Sequence, residues 1–208
     1  MTNLYQPNFT RADVEIIEKQ AAFQGFFRVD NYQIRHRLFK GGWSKPLQRE
    51  LFERGHAAAV LLVDPLLNKI VLIEQFRMGP LNQSQYPWLL ELVAGIIEPN
   101  ETPEQVVNRE SQEEAGLVIQ EVFPMVEYWV SPGASTEKVN LFCARVDASK
   151  AGGIYGLEAE GEDIRVWVFS VEEVYQMLEK GKINNASTLI ALQWFKLNEK
   201  QIRQQWQK

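Results

Sequence analysis

The sequence predicts an α/β fold in which helices pack on a mixed β-sheet, preceded by a small antiparallel β-sheet near the N-terminus. Three observations support this prediction. Residues 56–63 form an unbroken apolar run, which is typical of a buried strand. Residues 102–116 carry the start and stop signals of a helix. Residues 14–38 carry β-branched and aromatic side chains on both sides of Gly25, as two strands joined by a turn would.

Composition bounds the class of protein before any motif is considered. The chain has 208 residues, enough for one ordinary domain or for a core with a small appendage. Its formal net charge of -5 argues against a nucleic-acid duplex or an anionic membrane as the main partner. Cys143 is the single cysteine, so no disulfide can form within the chain. We expect a cytoplasmic protein, because the N-terminus lacks the pattern of a signal peptide and no apolar stretch approaches the roughly 20 residues of a membrane span.

The N-terminal region has the pattern of a small antiparallel sheet. Strands are predicted over residues 14–23, 26–38 and 47–54. Three strands alone are too thin to bury a core, so we expect them to pack against the main domain or across a dimer. The predicted domains are therefore an N-terminal β region over residues 1–54, for dimerisation or domain exchange, and a main domain over residues 55–208.

The main domain begins with strands at residues 56–63 and 70–76, joined by a turn at 65–68. Residues 79–88, rich in Gly, Pro and polar side chains, are predicted to be a loop, and residues 89–94 a short strand.

A helix follows over residues 103–115. Thr102 is a good N-cap, Pro103 suits the first helical position, and Gln105 stands three residues after the cap. Gly116 is a natural left-handed stop. The rest of the chain is predicted as strands 118–130 (interrupted near Pro124), 137–146 and 165–169, a glycine-rich acidic loop over 148–163, and helices over 171–180 and 186–198.

The predicted helix concentrates negative charge on one face. Glu110 and Glu114 lie one turn apart, and Glu113 is adjacent. Like charges at this spacing destabilise an isolated helix, so another group should offset them. A Mg²⁺ ion held by carboxylates and substrate phosphates would do so, although a solvated acidic face is the simpler interpretation of the spacing alone.

A longer pattern favours the metal. From Gly95 the sequence reads G-x5-E-x7-R-E-x-x-E-E-x-G followed by Leu117, which resembles the Nudix box with every charged and glycine position filled. The one departure is Ser111, where the family usually has an aliphatic or small residue. The resemblance implies a Nudix α/β/α sandwich with a mixed sheet, and metal-dependent hydrolysis of a nucleoside diphosphate linked to another group.

The resemblance also implies residue roles. The metal ligands would be Glu110, Glu113, Glu114 and the backbone carbonyl of Ala94, binding two or more Mg²⁺ ions, with Mn²⁺ as the alternative. An ion pair between Glu101 and Arg109 would shape the loop onto the helix.

The acidic loop is the second feature with chemistry. Three of its carboxylates alternate between glycines, which fits either a solvated surface loop or a mobile lid that carries a general base. The loop resembles that of bacterial ADP-ribose pyrophosphatases, a Nudix subgroup. By that resemblance Glu160 is the catalytic base and Glu162 an auxiliary metal or water contact, with the reverse assignment left open. Pro132, sixteen residues past Gly116, also resembles this subgroup, although turn prolines are common.

Substrate contacts are implied in the same way. Arg77, after a strand and before a Gly-Pro loop, would bind the pyrophosphate, because guanidinium groups suit bidentate contacts to oxyanions. Surface ion pairs are the default role of such arginines. On the adenine side the resemblance implies contacts by Phe26, Phe27 and Arg49, donated either by the same subunit or by a second one. It implies a contact by Glu137 at the terminal ribose. The remaining implied substrate-binding residues are Arg54, Ile96 and Ser131.

The predicted activity is therefore Mg²⁺-dependent hydrolysis of ADP-ribose to AMP and ribose 5-phosphate by a homodimer. The alternatives are a pyrophosphatase for a nucleotide-sugar such as GDP-mannose and a non-catalytic sensor that binds ADP-ribose. A complete set of box carboxylates argues against the sensor.

Overall fold

The computed structural model describes residues 5–206. These residues form two compact units. The first contains the chain up to Gly55 together with Ser131–Glu137, and the second contains His56–Val130 together with the chain from Lys138 onward.

The first unit is a three-stranded antiparallel sheet in the order β1-β2-β3. Its strands are β1 (Val14–Gln24), β2 (Arg28–His36) and β3 (Leu47–Glu53). This confirms the three strands that the sequence predicts, with small shifts at their ends. Ser131–Glu137 joins the unit because the backbone N–H of Phe52, on β3, donates to the carbonyl of Ala134 at 2.8 Å.

The second unit is built on an eight-stranded mixed sheet. The main path runs β10-β11-β5-β4-β9-β8, while β6 pairs with β5 and β7 with β4. Among the strand pairs of this sheet within residues 5–206, only the pairing of β4 with β9 is parallel. The strands are β4 (Ala57–Asp64), β5 (Lys69–Phe76), β6 (Trp88–Glu91), β7 (Val93–Ile96), β8 (Glu121–Trp129), β9 (Lys138–Arg145), β10 (Gly153–Tyr155) and β11 (Ile164–Ser170).

Helices cover both faces of this sheet. Side chains alternate along β4, so that Leu61 packs with α2 (Val171–Glu179) and α3 (Ala186–Gln205), whereas Val60 packs with α1 (Pro103–Ala115). The second unit is therefore an α/β/α sandwich, and the predicted fold class is confirmed. Within residues 5–206 no helix is both long and apolar enough to cross a membrane.

Three local predictions need correction. Residues 89–94 are not one strand: the chain breaks at Leu92, whose N–H donates to the hydroxyl of Thr188 at 3.2 Å, so β6 and β7 pair with different neighbours. The acidic loop contains the short strand β10, which a glycine-rich sequence does not suggest. Helix α3 runs on to Gln205 and buries Ile202, because one apolar residue at the right turn anchors an otherwise polar extension.

Helix α3 provides a test of the core on this face of the sheet. Phe195 is fully buried among residues of α2, α3 and the sheet, whereas Leu197 on the same helix is 85% exposed. We expect Phe195→Ala to lower the free energy of unfolding by about 3–5 kcal/mol, because it removes buried apolar surface and leaves a cavity. Urea unfolding followed by circular dichroism measures this. Leu197→Ala is the matched control and should stay within about 0.5 kcal/mol of the parent protein.

Candidate active site

Helix α1 begins and ends where the sequence predicts. The hydroxyl of Thr102 accepts a hydrogen bond from the N–H of Gln105 at 3.2 Å, and the side chain of Gln105 accepts one from the N–H of Thr102 at 2.7 Å. Gly116 ends the helix with a φ of 64°. These reciprocal bonds satisfy two N–H groups at the open end of the helix, and the predicted helix over residues 103–115 is confirmed.

Two glycines of this stretch allow other groups to approach the backbone closely. A Cβ atom on Gly95 would overlap the carboxylate of Glu110, and one on Gly116 would overlap the ring of Tyr155. Gly116 also has a positive φ, which other residues adopt only with strain. The first glycine therefore makes room for a box carboxylate, and the second for an aromatic ring at the end of the helix.

Arg109 connects the carboxylates of this region. Its Nε donates to Glu101 at 3.0 Å, and its Nη1 donates to Glu110 at 2.7 Å and to Glu113 at 2.9 Å. The predicted ion pair with Glu101 is present, and it lowers the pKa of that carboxyl. Arg109 therefore relieves part of the repulsion between carboxylates for which the sequence predicted a bound Mg²⁺ ion.

Glu114 lies inside the protein, and the side chain of Glu110 is only 12% exposed, so neither stands on a solvated face. Glu114 is 2% exposed, and it accepts hydrogen bonds from the N–H of Ala94 at 3.0 Å and from the amide of Gln75 at 3.4 Å. Burial raises the pKa of Glu114 to about 8 and the pKa of Glu110 to about 7, the latter against the opposing charge of Arg109. The negative charge of Glu162 raises both pKa values further. A solvated acidic face would show no such burial.

The donor chemistry of these residues fits a divalent cation. Buried carboxylates whose ionised form is destabilised gain from a bound positive charge, and carboxylate and carbonyl oxygens are the ligands that Mg²⁺ prefers. Glu114 fits best, since Arg109 Nη1 already donates to both Glu110 and Glu113, and Glu110 is the more buried of those two. Over residues 5–206, no three His, Cys, Asp or Glu side chains stand together closely enough to hold an ion. Water and substrate phosphates would have to complete such a site, as is usual for Mg²⁺.

The acidic loop places its two candidate carboxylates differently. Glu162 is half-buried, and its Oε2 accepts a hydrogen bond from the N–H of Leu157 at 3.0 Å. Glu160 is exposed at the end of the short 3-10 turn Glu158–Glu160. The loop is tied to α1 at its start, because the N–H of Gly156 donates to the carbonyl of Glu113 at 3.2 Å. Glu162 therefore acts electrostatically on the box carboxylates in this conformation, and Glu160 faces solvent.

Arg77 and Ile96 are the substrate-binding candidates of the second unit. Arg77 follows β5, and its Nε donates to the carboxylate of Glu91 at 2.8 Å. Its positive charge opposes the rise in the pKa of Glu114 that burial causes. Ile96 ends β7 with an exposed side chain.

The other candidates lie in the first unit. Phe26 is 88% exposed and meets Phe27 edge-on, with ring centroids 4.8 Å apart. Arg54 lies over the ring of Phe27 at 5.4 Å and pairs with the buried carboxylate of Glu137 at 3.2 Å. Arg49 is exposed on β3, and Ser131 is exposed at the start of a turn whose N–H groups bond to its carbonyl. The exposed ring of Phe26 and the ordered Arg54–Glu137 pair are the features of this unit suited to ligand contact.

Sequence reasoning missed three residues that shape the site of the second unit. They are Gln75, which bonds to Glu114, Glu91, which bonds to Arg77, and Tyr155, which packs on Gly116. A glutamine near the end of a largely buried strand was a usable signal, because a buried polar side chain needs a partner. The other two depend on contacts distant in sequence.

The sandwich, the box motif and the carboxylate of Glu114 buried against β7 together define a class of hydrolases. The family model of the NUDIX domain matches residues 53–199, so the chain belongs to the Nudix family.

Individual proteins are similar over almost the whole chain. The ADP-ribose pyrophosphatase of Escherichia coli is 48% identical over 198 residues, covering 95% of each chain. That of Haemophilus influenzae is 42% identical over 204 residues, covering 97% of this chain and 94% of the relative. The GDP-mannose pyrophosphatase of an Enterobacter species is 32% identical over 189 residues, covering 89% and 96%. A crystal structure of an ADP compounds hydrolase shares the fold, with a TM-score of 0.70 at 19% identity over 92% of this chain and 97% of the other.

The raised carboxyl pKa values predict how stability changes with pH. Folding raises the pKa of Glu114 to about 8 and that of Glu110 to about 7, from an ordinary value of 4.5. Such groups stabilise the folded state fully below the unfolded pKa and lose that contribution as the pH rises to the folded pKa. We expect the metal-free protein to lose stability between about pH 4.5 and about pH 8, measured as the urea midpoint in EDTA.

In the Glu114→Gln variant the side chain at position 114 cannot ionise. The loss of stability with rising pH should therefore be smaller than in the parent protein. Glu104→Gln, at an exposed position of the same helix, is the control and should keep the parent profile. If the Glu114→Gln profile kept the parent slope, the buried carboxylate would not be its source.

Proposed function

We propose that this protein hydrolyses the pyrophosphate bond of ADP-ribose, with Mg²⁺, to AMP and ribose 5-phosphate. The observation that carries the proposal is the buried carboxylate of Glu114, with the largely buried Glu110 one turn before it and a cation, Arg77, whose charge acts on Glu114. Two anionic groups without a cation would repel a diphosphate, whereas this combination suits metal-assisted binding of one. The extent of similarity to ADP-ribose pyrophosphatases supports the substrate.

The chain's own residues have distinct parts in this reaction. Bound Mg²⁺ would be held by Glu110, Glu114 and the Ala94 carbonyl, and it supplies neutralisation of the diphosphate and a more acidic water. Arg77 donates hydrogen bonds to phosphate oxygens and stabilises charge that develops there. Water attacks a phosphorus atom, the bridging P–O bond breaks, and the proton of the water passes to a carboxylate of the acidic loop.

Glu160 is our candidate for that base, and Glu162 for the metal or water contact. Glu162 already raises the pKa values of the box carboxylates, which suits a group that adds a ligand oxygen there. Glu160 would reach the attacking water when the loop between Leu157 and Glu162 moves inward. Its side chain is exposed and makes no hydrogen bond within residues 5–206, so none of its own has to break.

The second candidate function is hydrolysis of a nucleotide-sugar such as GDP-mannose by the same residues. The similarity to GDP-mannose pyrophosphatases favours it, at lower identity than the similarity to ADP-ribose pyrophosphatases. A homodimer, a cytoplasmic location, and substrate contacts by Phe26, Phe27, Arg49, Arg54, Ser131 and Glu137 stay predictions. So do a contact by Ile96, the role of Glu113 and the number of ions.

The first test is turnover by the purified protein. We expect AMP from ADP-ribose only when Mg²⁺ is present, and faster than any product from GDP-mannose. Glu114→Gln should remove most of this activity while the circular dichroism spectrum is kept, because a buried ligand charge is lost. Chromatography of the products, with an EDTA control, measures this.

Each alternative has its own outcome in this experiment. Faster turnover of GDP-mannose would keep the phosphate chemistry and discard ADP-ribose as the substrate. Tight binding of ADP-ribose without turnover would favour the sensor. Full activity of Glu114→Gln with an unchanged metal requirement would contradict its assignment as a ligand.

The loop carboxylates give a second test. We expect Glu160→Gln to lower kcat by roughly 10²–10⁴ with little change in KM, which is the usual contribution of a general base. Glu162→Gln should instead raise the Mg²⁺ concentration needed for half-maximal activity. Glu158→Gln, an exposed acid on the same 3-10 turn, is the matched control. A larger loss of kcat in Glu162→Gln than in Glu160→Gln would reverse the two roles.

A further inference from the structure

The contact between Glu91 and Arg77 has a geometry suited to holding a phosphate-binding group in place. The N–H of Arg77 donates to the carbonyl of Pro87 at 2.9 Å, and its Nε donates to Glu91 Oε2 at 2.8 Å. The backbone and the side chain of Arg77 are therefore both held in place. Neither of these hydrogen bonds uses the terminal nitrogens of the guanidinium. Across residues 5–206 the two Nη groups of Arg77 make no hydrogen bond, so their N–H donors are free for an oxyanion.

The two partners of this ion pair differ in exposure, and the difference indicates which side chain holds the other in place. The side chain of Glu91 is 14% exposed, whereas that of Arg77 is 43% exposed. Glu91, on strand β6, is thus the more buried and more fixed member, and Arg77 is the member that reaches toward solvent. A surface ion pair with two mobile partners would hold neither of them in this way.

The register of the sheet places the pair on the face of the box helix. Glu91 is opposite Ile73, whose side chain packs in the core under α1. Side chains two residues apart on a strand share a face, so Gln75 also points there, and it donates to Glu114. Arg77 continues the same alternation beyond the end of β5. The free Nη groups and the buried box carboxylates therefore belong to one face of the sheet.

We propose that Glu91 is a positioning residue that aims the terminal nitrogens of Arg77 at the substrate diphosphate. The proposal rests on the proposed function, because it takes a diphosphate as the ligand. A guanidinium that is held near its bound geometry beforehand contributes more to affinity, since ordering a free arginine side chain opposes binding. Glu91 touches neither the substrate nor the reacting atoms, and it acts through Arg77 alone.

A double-mutant cycle tests this chain of action. The four proteins are the parent, Glu91→Gln, Arg77→Ala and the variant with both changes. The kcat and KM for ADP-ribose are measured with Mg²⁺. The dissociation constants of ADP-ribose and of inorganic pyrophosphate are measured in EDTA by calorimetry, so that metal loading does not enter.

We expect Glu91→Gln to raise KM and both dissociation constants about tenfold, the usual contribution of a hydrogen bond to a charged group, with a smaller change in kcat. Arg77→Ala should have the larger effect, and Glu91→Gln should add nothing to it. The melting temperature of the double variant should exceed that of Arg77→Ala, because the latter leaves a buried carboxylate without its partner. A purely structural role of Glu91 would lower the melting temperature without changing the dissociation constants.

Glu74→Gln is the matched control. Glu74 is on strand β5 and accepts a hydrogen bond from Trp167 at 2.8 Å, and it stands opposite Leu90 on the other face of the sheet. Unchanged KM and dissociation constants in Glu91→Gln would overturn the inference, as would a Glu91→Gln effect that persists in full without Arg77. Failure of the parent to hydrolyse ADP-ribose would refute the proposed function instead, and the pyrophosphate measurements would still decide the role of Glu91. Absence of pyrophosphate and ADP-ribose binding by the parent would overturn the inference.

Discussion

The burial of Glu114 against strand β7 is the constraint around which the site of the second unit is arranged. Helix α1 packs on the sheet through Val107, Ser111 and Ala115, and a period of 3.6 residues places position 114 beside that buried row. The carboxylate cannot turn outward without unpacking the helix, so groups of the sheet come to it, the N–H of Ala94 and the amide of Gln75. A charge held inside in this way is destabilised unless a cation arrives.

Arg109 divides the acidic residues of the helix into two kinds. Glu113, with a side chain that is part-exposed, is compensated directly by the guanidinium, and so is Glu101 in the loop before the helix. Glu110 is shared, because burial raises its pKa while Arg109 opposes that rise. Arg109 therefore offsets part of the repulsion between the carboxylates of α1. The repulsion that remains acts mainly on Glu110 and Glu114. A ligand that relieves it gains the most at those two carboxylates.

Features encoded within a few residues were predictable from the sequence, and those that depend on distant contacts were not. The capping boxes at Thr102 and Ser170 involve partners three residues away, so both helix starts follow from local chemistry. The break at Leu92 depends on Thr188, and the place of Ser131–Glu137 in the first unit depends on Phe52. The box carboxylates were identified through a long motif, whereas Glu91 lies in the short segment Trp88–Glu91 with no pattern of its own.

The acidic loop combines a fixed root with a carboxylate that remains outside. At its root, Gly156 bonds to α1, and Tyr155 packs on the glycine that ends that helix. Across its base, the bond from Leu157 to Glu162 closes a short ring of residues that carries Glu160. The segment that carries Glu160 is therefore anchored to the same helix that holds Glu110 and Glu114. A base delivered from such a segment can approach the water while the packing that buries Glu114 stays in place.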